Sequence, residues 1–448
     1  MRRIILIAIL ILTSFITTNA KKSDEERLNE LKPIVKRFFE YLSNEQYPDI
    51  SAMLDSAVKA QLDETKLVTI KSMLDFQYGK FHEIIEYKYA KYEVYDVVDI
   101  KCDYDRATIG YRFSFDSLNK IAGFVLTSKV EKDFYKPPDY VNKNSFSEKD
   151  IEFGYPGWRL KGVLTLPKDG NNFPVVVLIH GSGPNDRDET IGPNKPFRDI
   201  AWGLASKGIA VFRYDKRTLT HRDKFLNYSD SITIYDEVID DAIKAIDTIA
   251  TFPEIDKRKI YVLGHSLGGM LLPKIAREDS TIAGLIFMAA PARPLEDVYL
   301  SQLQYIFKLD GKLSKEEKEK IAEVKKQIKR VKSKNLSINT PKEELPMNTN
   351  ALYWLSLRNY NQVEMAKKLN LPMLILQGHR DYQVTYDDLK LWEKAMTGRK
   401  NVEIYSYPKL NHLFMAGEGI IKPDEYNKEG HVSELIIKII SEWINKQK

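Results

Sequence analysis

Gly264-His265-Ser266-Leu267-Gly268 sets a serine among small residues, directly after the apolar run Ile260-Tyr261-Val262-Leu263 and directly before a helical stretch. A turn that tight needs small flanking residues, and it lifts the serine hydroxyl clear of the sheet at a helix N-terminus. That is the setting of a nucleophile. A serine hydroxyl is weak on its own, so it needs a base, and the base needs an acid to orient it. Three of the seven histidines, His379, His412 and His431, follow Ser266. His412 comes after the β-forming run Val402 to Tyr407 through Pro408-Lys409-Leu410-Asn411, and Asp381 comes after Met373 to Leu376 through Gln377-Gly378-His379-Arg380. Both then lie in loops at the carboxyl edge of a sheet, in the chain order serine, acid, histidine. The chemistry implied is acyl transfer, with Ser266 as nucleophile, His412 as base and Asp381 as acid.

The other candidates read differently. His431 opens a C-terminal helix carrying Leu435, Ile436, Ile439, Ile440, Trp443 and Ile444, and so belongs to packing. His379 is two residues from Asp381 and supports its loop, while Asp387 and Asp388 fall in a polar helix start. Acyl transfer also develops an oxyanion, which needs backbone N–H donors. Leu267, the residue after the nucleophile, supplies one. His180-Gly181-Ser182-Gly183-Pro184 directly follows the run Val175 to Ile179, so the Ser182 amide is the second, with His180 in a structural role. Neither G-x-x-x-x-G-K nor G-x-G-x-x-G is present at this loop, which removes the phosphate-cradle reading. The single cysteine, Cys102, excludes an intramolecular disulfide and a Cys-rich zinc site, and no metal or cofactor is expected.

The elements that must hold these residues alternate between strand and helix. Val175 to Ile179, Ile209 to Phe212, Ile260 to Leu263, Ala283 to Met288 and Met373 to Leu376 are short, all-apolar and rich in β-formers, as strands buried on both faces of a parallel sheet are. Helical stretches between them, around 239–249 and 270–276, predict an α/β fold over residues 146–448. An insertion at about 293–346 interrupts the rhythm. Within it Ser314 and Glu317 form a capping box ahead of Ile321, Val324, Ile328 and Val331, which predicts a charged amphipathic helix serving as a cap over the sheet's carboxyl edge.

Residues 21–145 predict a separate small α+β domain. Leu28, Leu31, Val35, Phe38, Phe39 and Leu42 fall at helical spacing, with Pro33 marking where the regular helix begins; Tyr111, Phe113 and Phe115 then alternate as in a strand. Lys136-Pro137-Pro138 and the polar stretch to Lys149 read as a linker. Residues 1–20 combine Arg2 and Arg3, an apolar run from Ile4 to Leu12 and Thr18-Asn19-Ala20. This is a signal-peptide pattern, too short for a bilayer span, and it predicts export to a periplasm or the medium with no stable membrane anchor afterwards. The net charge of +5 falls to +3 once Arg2 and Arg3 are removed, too little for a nucleic-acid footprint, and ten Lys and Arg against four Glu concentrate the basicity between Lys312 and Lys334.

His180-Gly181-Ser182-Gly183-Pro184-Asn185-Asp186-Arg187-Asp188-Glu189-Thr190, Arg213-Tyr214-Asp215-Lys216-Arg217, Gly264-His265-Ser266-Leu267-Gly268-Gly269 and Gln377-Gly378-His379-Arg380-Asp381 together resemble bacterial α/β-hydrolases of the serine-aminopeptidase-like, carboxylesterase branch. The likeness covers about 148–448. It implies the α/β-hydrolase fold, Ser266, Asp381 and His412 as the triad, and the Ser182 and Leu267 amides as the oxyanion hole. The region before it resembles the small α+β domain of unknown role found ahead of such hydrolases. On this reading the chain is an exported serine hydrolase of small-molecule carboxylic esters. A serine aminopeptidase or a thioesterase would use the same triad, though an aminopeptidase needs carboxylates near its pocket, for which Asp186, Asp188 and Glu189 are the candidates. A haloalkane dehalogenase would carry aspartate at position 266. The reading from another class is a secreted binding protein that uses the N-terminal domain. Acyl and alcohol specificity, the role of residues 21–145 and oligomeric state stay open at this level.

Overall fold

The computed structural model describes residues 22–132, 135–228 and 230–447. The signal-peptide pattern at 1–20 therefore lies outside the described residues. The chain divides into two compact units, Met1–Phe134 and Tyr135–Lys448.

In the first unit the helix Asp24–Ser43 begins earlier than Pro33. Ser23 and Glu26 close a reciprocal capping box, with the Ser23 N–H donating to Glu26 Oε2 at 2.8 Å and the Glu26 N–H to Ser23 Oγ at 3.2 Å. Pro33 sits inside the helix, its lost hydrogen bond offset by burial of Leu31, Val35, Phe38, Phe39 and Leu42 on one face. That face packs on an antiparallel sheet of β1 (Phe81–Tyr92), β2 (Tyr95–Tyr104), β3 (Ala107–Phe115) and β4 (Ile121–Glu131), in that order. The alternating Tyr111, Phe113 and Phe115 all point inward. Phe38 lies 5.6, 5.2 and 5.1 Å, centroid to centroid, from the rings of Phe39, Phe113 and Phe124.

The second unit is built on eight strands: β5 (Phe146–Tyr155), β6 (Trp158–Pro167), β7 (Phe173–Ile179), β8 (Ala210–Tyr214), β9 (Ile255–His265), β10 (Ile282–Met288), β11 (Met373–Gly378) and β12 (Val402–Tyr407). Their spatial order is β12-β11-β10-β9-β7-β8-β6-β5, parallel from β12 to β8 and antiparallel for β6 and β5. This is the α/β sheet expected from the alternating elements, in the arrangement that the resemblance to α/β-hydrolases implies. The stretch that composition marks as a linker is partly sheet, because β5 starts at Phe146 and forms a hairpin with β6 around Pro156-Gly157. Upstream of it, Tyr135 Oη donates to Asp199 and Tyr140 Oη donates to the Val432 carbonyl at 2.8 Å, so residues from 135 onward pack on the second unit. Apolar clusters cover both faces of the sheet, which is why its central strands read as continuous apolar runs.

Between β10 and β11 the chain leaves the sheet. It forms the helices Leu295–Phe307 and Lys315–Lys332, short turns, and then the helices Ala351–Leu357 and Gln362–Lys367, so the excursion outlasts residue 346. The capping box at Ser314 and Glu317 is present, and Ile321, Val324, Ile328 and Val331 are all buried. Asp388, seemingly part of a polar helix start, is fully buried. It accepts the Ala292 and Arg293 N–H groups at 3.0 Å and pairs with the Arg293 guanidinium, pinning the start of the excursion. No helix among the described residues is long and apolar enough to cross a membrane. Truncating a buried aromatic of the first unit, Phe38→Ala, is expected to cost about 3–5 kcal/mol in that unit's unfolding transition, read by urea denaturation.

Candidate active site

Ser266 follows β9 and precedes the helix Leu267–Glu278, with φ 50° and ψ −118°. A non-glycine residue holds such a conformation only where its surroundings over-determine it. Here the Ser266 N–H donates to the Met288 carbonyl at 2.9 Å, and the glycines around it admit no side chain. A Cβ on Gly264 would meet the Gly268 carbonyl carbon at 2.5 Å; one on Gly268 would run into the Ile179 carbonyl and meet that of His180 at 2.7 Å. The elbow is therefore pressed against the end of β7, where the Gly181–Ser182 loop begins.

Asp381 lies beyond β11 and His412 beyond β12, as read from sequence, and the structure brings them into contact. His412 Nδ1 is 2.7 Å from Asp381 Oδ2, with both side chains buried. Asp381 Oδ1 accepts the Gln383 and Val384 N–H groups at 2.8 and 2.9 Å, and Gln377 Nε2 donates to Oδ2 at 3.2 Å. With Nδ1–H committed to Asp381, Nε2 of His412 carries the lone pair. The two loops are also tied to each other: Arg380 pairs with Glu425 at 2.6 Å, and Glu425 accepts from Asn411 Nδ2 at 3.0 Å.

Ser182, Ser266 and Leu267 line one cavity of ≈ 390 Å³. Leu295, Val298 and Tyr299 of the first excursion helix, with Met347 and Tyr353 farther on, form apolar and aromatic parts of its wall. Leu267 is the first residue of its helix, so its N–H has no partner within the helix. The Ser182 N–H donates to no acceptor among the described residues. His180, His379 and His431 take supporting places. His180 Nε2 contacts the Asp186 carbonyl at 3.1 Å, and burial pushes its pKa down to about 4. His379 packs on Tyr386, and His431 Nδ1 is 3.1 Å from Asp199 Oδ1.

One element was missed from sequence. His265, immediately before Ser266, makes a buried 2.8 Å ion-pair contact with Glu189 through Nδ1, and its Nε2 donates to the His412 carbonyl at 3.0 Å. Glu189 in turn accepts the Gly181 N–H at 2.6 Å. Three loops, carrying Ser182, Ser266 and His412, are thereby joined through one charged pair. Burial alone would lower the His265 pKa, but the Glu189 carboxylate reverses this and holds it above 6.5; burial alone would raise Glu189, but His265 holds it below 4.5. The signal was the charge-rich run after Gly183, whose pairing no single sequence can assign. Asp188, from the same run, pairs with Arg213 at 2.9 Å and Arg198 at 2.6 Å.

Residues 172–418 match a family described as serine aminopeptidase, S33, and residues 35–124 match a family of proteins of unknown function, DUF3887. The chain is 40% identical over 409 residues to Esterase EstD of Thermotoga maritima, covering 91% of this chain and 94% of that one. Similar solved structures include Est1E from Butyrivibrio proteoclasticus, with TM-score 0.41, 18% identity and coverage of 66% of this chain and 98% of that one. An esterase of Pyrococcus furiosus gives TM-score 0.41, 18% identity, and 70% and 98% coverage.

The Glu189–His265 pair sets a pH dependence. Its histidine part contributes stability fully below pH 6.5, lost as pH rises through the elevated folded pKa; its glutamate part contributes fully above pH 4.5, lost as pH falls through the depressed one. The stability difference between the parent protein and His265→Gln, from urea unfolding at a series of pH values, is expected to be largest between those limits and to shrink on either side.

Proposed function

The chain belongs to the serine aminopeptidase, S33 family of α/β-hydrolases, and from that premise we propose that it is an exported serine esterase acting on small carboxylic esters. Ser266 Oγ attacks the acyl carbon while His412 Nε2 takes its proton, and Asp381 holds the imidazole and stabilises the imidazolium that forms. The Ser182 and Leu267 amides receive the developing oxyanion. His412 then protonates the leaving alkoxide, and water, activated in the same way, releases the carboxylic acid and frees the serine.

The observation that carries this reading is the buried 2.7 Å Asp381–His412 contact, seated against the strained Ser266 elbow by the His265 hydrogen bond to the His412 carbonyl. The name and extent of the Thermotoga relative support ester substrates. An aminopeptidase would need a carboxylate free to receive a substrate ammonium, and the nearby ones are engaged. Asp186 accepts from the Thr190 N–H and hydroxyl, Asp188 and Glu189 are paired as above, and Glu237, the acidic residue lining the cavity, holds Lys216 and the Tyr353 hydroxyl. A cavity of ≈ 390 Å³ suits a small acyl or aryl ester. Export rests on the leader at 1–20, with periplasm or medium as the destination.

The test is turnover by residues 21–448 of a chromogenic ester series from acetyl to decanoyl, beside aminoacyl anilides and acyl thioesters. Ester turnover is expected to exceed anilide turnover, and Ser266→Ala to lower ester kcat/KM by at least ~10⁴-fold. Asp381→Asn is expected to lower kcat by about 10⁴-fold, by leaving His412 in the wrong tautomer. Preferential anilide turnover would reassign the substrate, and an active Ser266→Ala would remove the mechanism.

A further inference from the structure

Lys216 follows β8 and is buried, although it is charged and lies outside the triad. Its Nζ donates to the Gly181 carbonyl at 2.7 Å and to Glu237 Oε1 at 2.7 Å. Glu237 Oε2 accepts from the Tyr353 hydroxyl at 2.7 Å. Glu237 belongs to a π-helical turn, Tyr235–Ile239, a form concentrated at functional sites. Tyr353 belongs to the helix Ala351–Leu357 of the excursion between β10 and β11, and both residues line the cavity that holds Ser266.

The consequence comes from peptide geometry. The Gly181 C=O and the Ser182 N–H belong to one planar trans unit and point in opposite directions. An ammonium that grips the carbonyl therefore fixes the direction of the amide, and that amide has no acceptor among the described residues. Glu189, on the Gly181 N–H, restrains the preceding peptide. Asn185 Nδ2 also reaches the Gly181 carbonyl, at a longer 3.3 Å.

We propose that Lys216 is a positioning residue for the oxyanion hole: held by Glu237 and, through it, by Tyr353, it locks the Gly181–Ser182 peptide so that the Ser182 N–H faces the developing oxyanion. The inference rests on the serine-esterase reading above. It makes the excursion between β10 and β11 a contributor to transition-state stabilisation as well as to the cavity wall. The Lys216–Glu237 ion pair has no substrate-binding role in it, because both charges are spent on each other and on the loop.

The experiment compares the parent protein with Lys216→Met/Glu237→Gln, which removes both charges together, and with Tyr353→Phe, which leaves the ion pair in place. Each is assayed for ester kcat and KM. Each is also titrated with a trifluoromethyl ketone, which forms a hemiketal oxyanion on the serine, and with the matching non-hydrolysable ether, which does not. In the double variant kcat is expected to fall about 10²-fold with KM within twofold, and ketone affinity to fall in step while ether affinity holds. In Tyr353→Phe the same pattern is expected at about threefold to tenfold, so the inference stays open to refutation even where the double variant fails to fold. An unchanged kcat, or equal losses of ketone and ether affinity, overturns it in either variant. Ser266→Ala assayed alongside separates the two levels: if it is inactive while the Lys216 variants behave as the parent, only this inference fails, whereas an active Ser266→Ala removes the esterase reading beneath it.

Discussion

The close approach of the Ser266 elbow to the end of β7 is the constraint on which the rest of the site depends. Ser266 sits at φ 50° and ψ −118°, a conformation that costs of order 1–3 kcal/mol and persists only where neighbours leave no alternative. The hydrogen bond to Met288 from one side and the Gly268 backbone against the Ile179 and His180 carbonyls from the other supply that restraint. The same contact brings the helix N-terminus at Leu267 beside the loop at Gly181–Ser182, so one packing event sets both the proposed nucleophile and the pair of amides proposed to receive the oxyanion. Strand order then does the remaining work. Because β7, β9, β10, β11 and β12 are consecutive neighbours and parallel, their carboxyl ends form one edge, and residues far apart in sequence meet there.

Charged pairs behind this edge, two of them buried and one half-buried, stiffen it. Glu189–His265 joins the Gly181 amide, the elbow and the His412 carbonyl; Lys216–Glu237 grips the opposite side of the Gly181 unit; Arg380–Glu425 ties the Asp381 loop to the His412 loop through Asn411. Such pairs are weak evidence for stability, since desolvation consumes much of their attraction. Their value here is directional, because each either holds a peptide or a ring by a named atom or ties one loop to another. Carboxylates so engaged already have their charge compensated by a protein cation, which is how the same network bears on the proposed preference for ester over peptide.

Much of this was legible in the sequence because local pattern and chain order were enough. Gly264 to Gly268 between an apolar run and a helix marked the elbow, and loops after Met373 to Leu376 and Val402 to Tyr407 marked Asp381 and His412. The capping box at Ser314 and Glu317 marked a helix that the structure contains. What escaped required partners. Pro33 suggested a later helix start than the Ser23–Glu26 box allows, and four exposed polar residues between the buried Phe146 and Ile151 disguised β5 as part of a linker. Asp388 read as part of a polar helix start, Glu189 as a candidate carboxylate near the pocket and Lys216 only as part of a strand-end motif, and the fold alone shows the buried groups they face.

The most direct measurement is the site of covalent capture. The intact protein would be treated with a fluorophosphonate, digested with trypsin and mapped by mass spectrometry. The peptide 260–274 contains Ser266 as its one serine, so a single phosphonyl group on that peptide, lost when His412→Ala is treated in the same way, is the expected result. A label elsewhere, or ester turnover that persists with Ser266 unlabelled, would contradict Ser266 as the nucleophile.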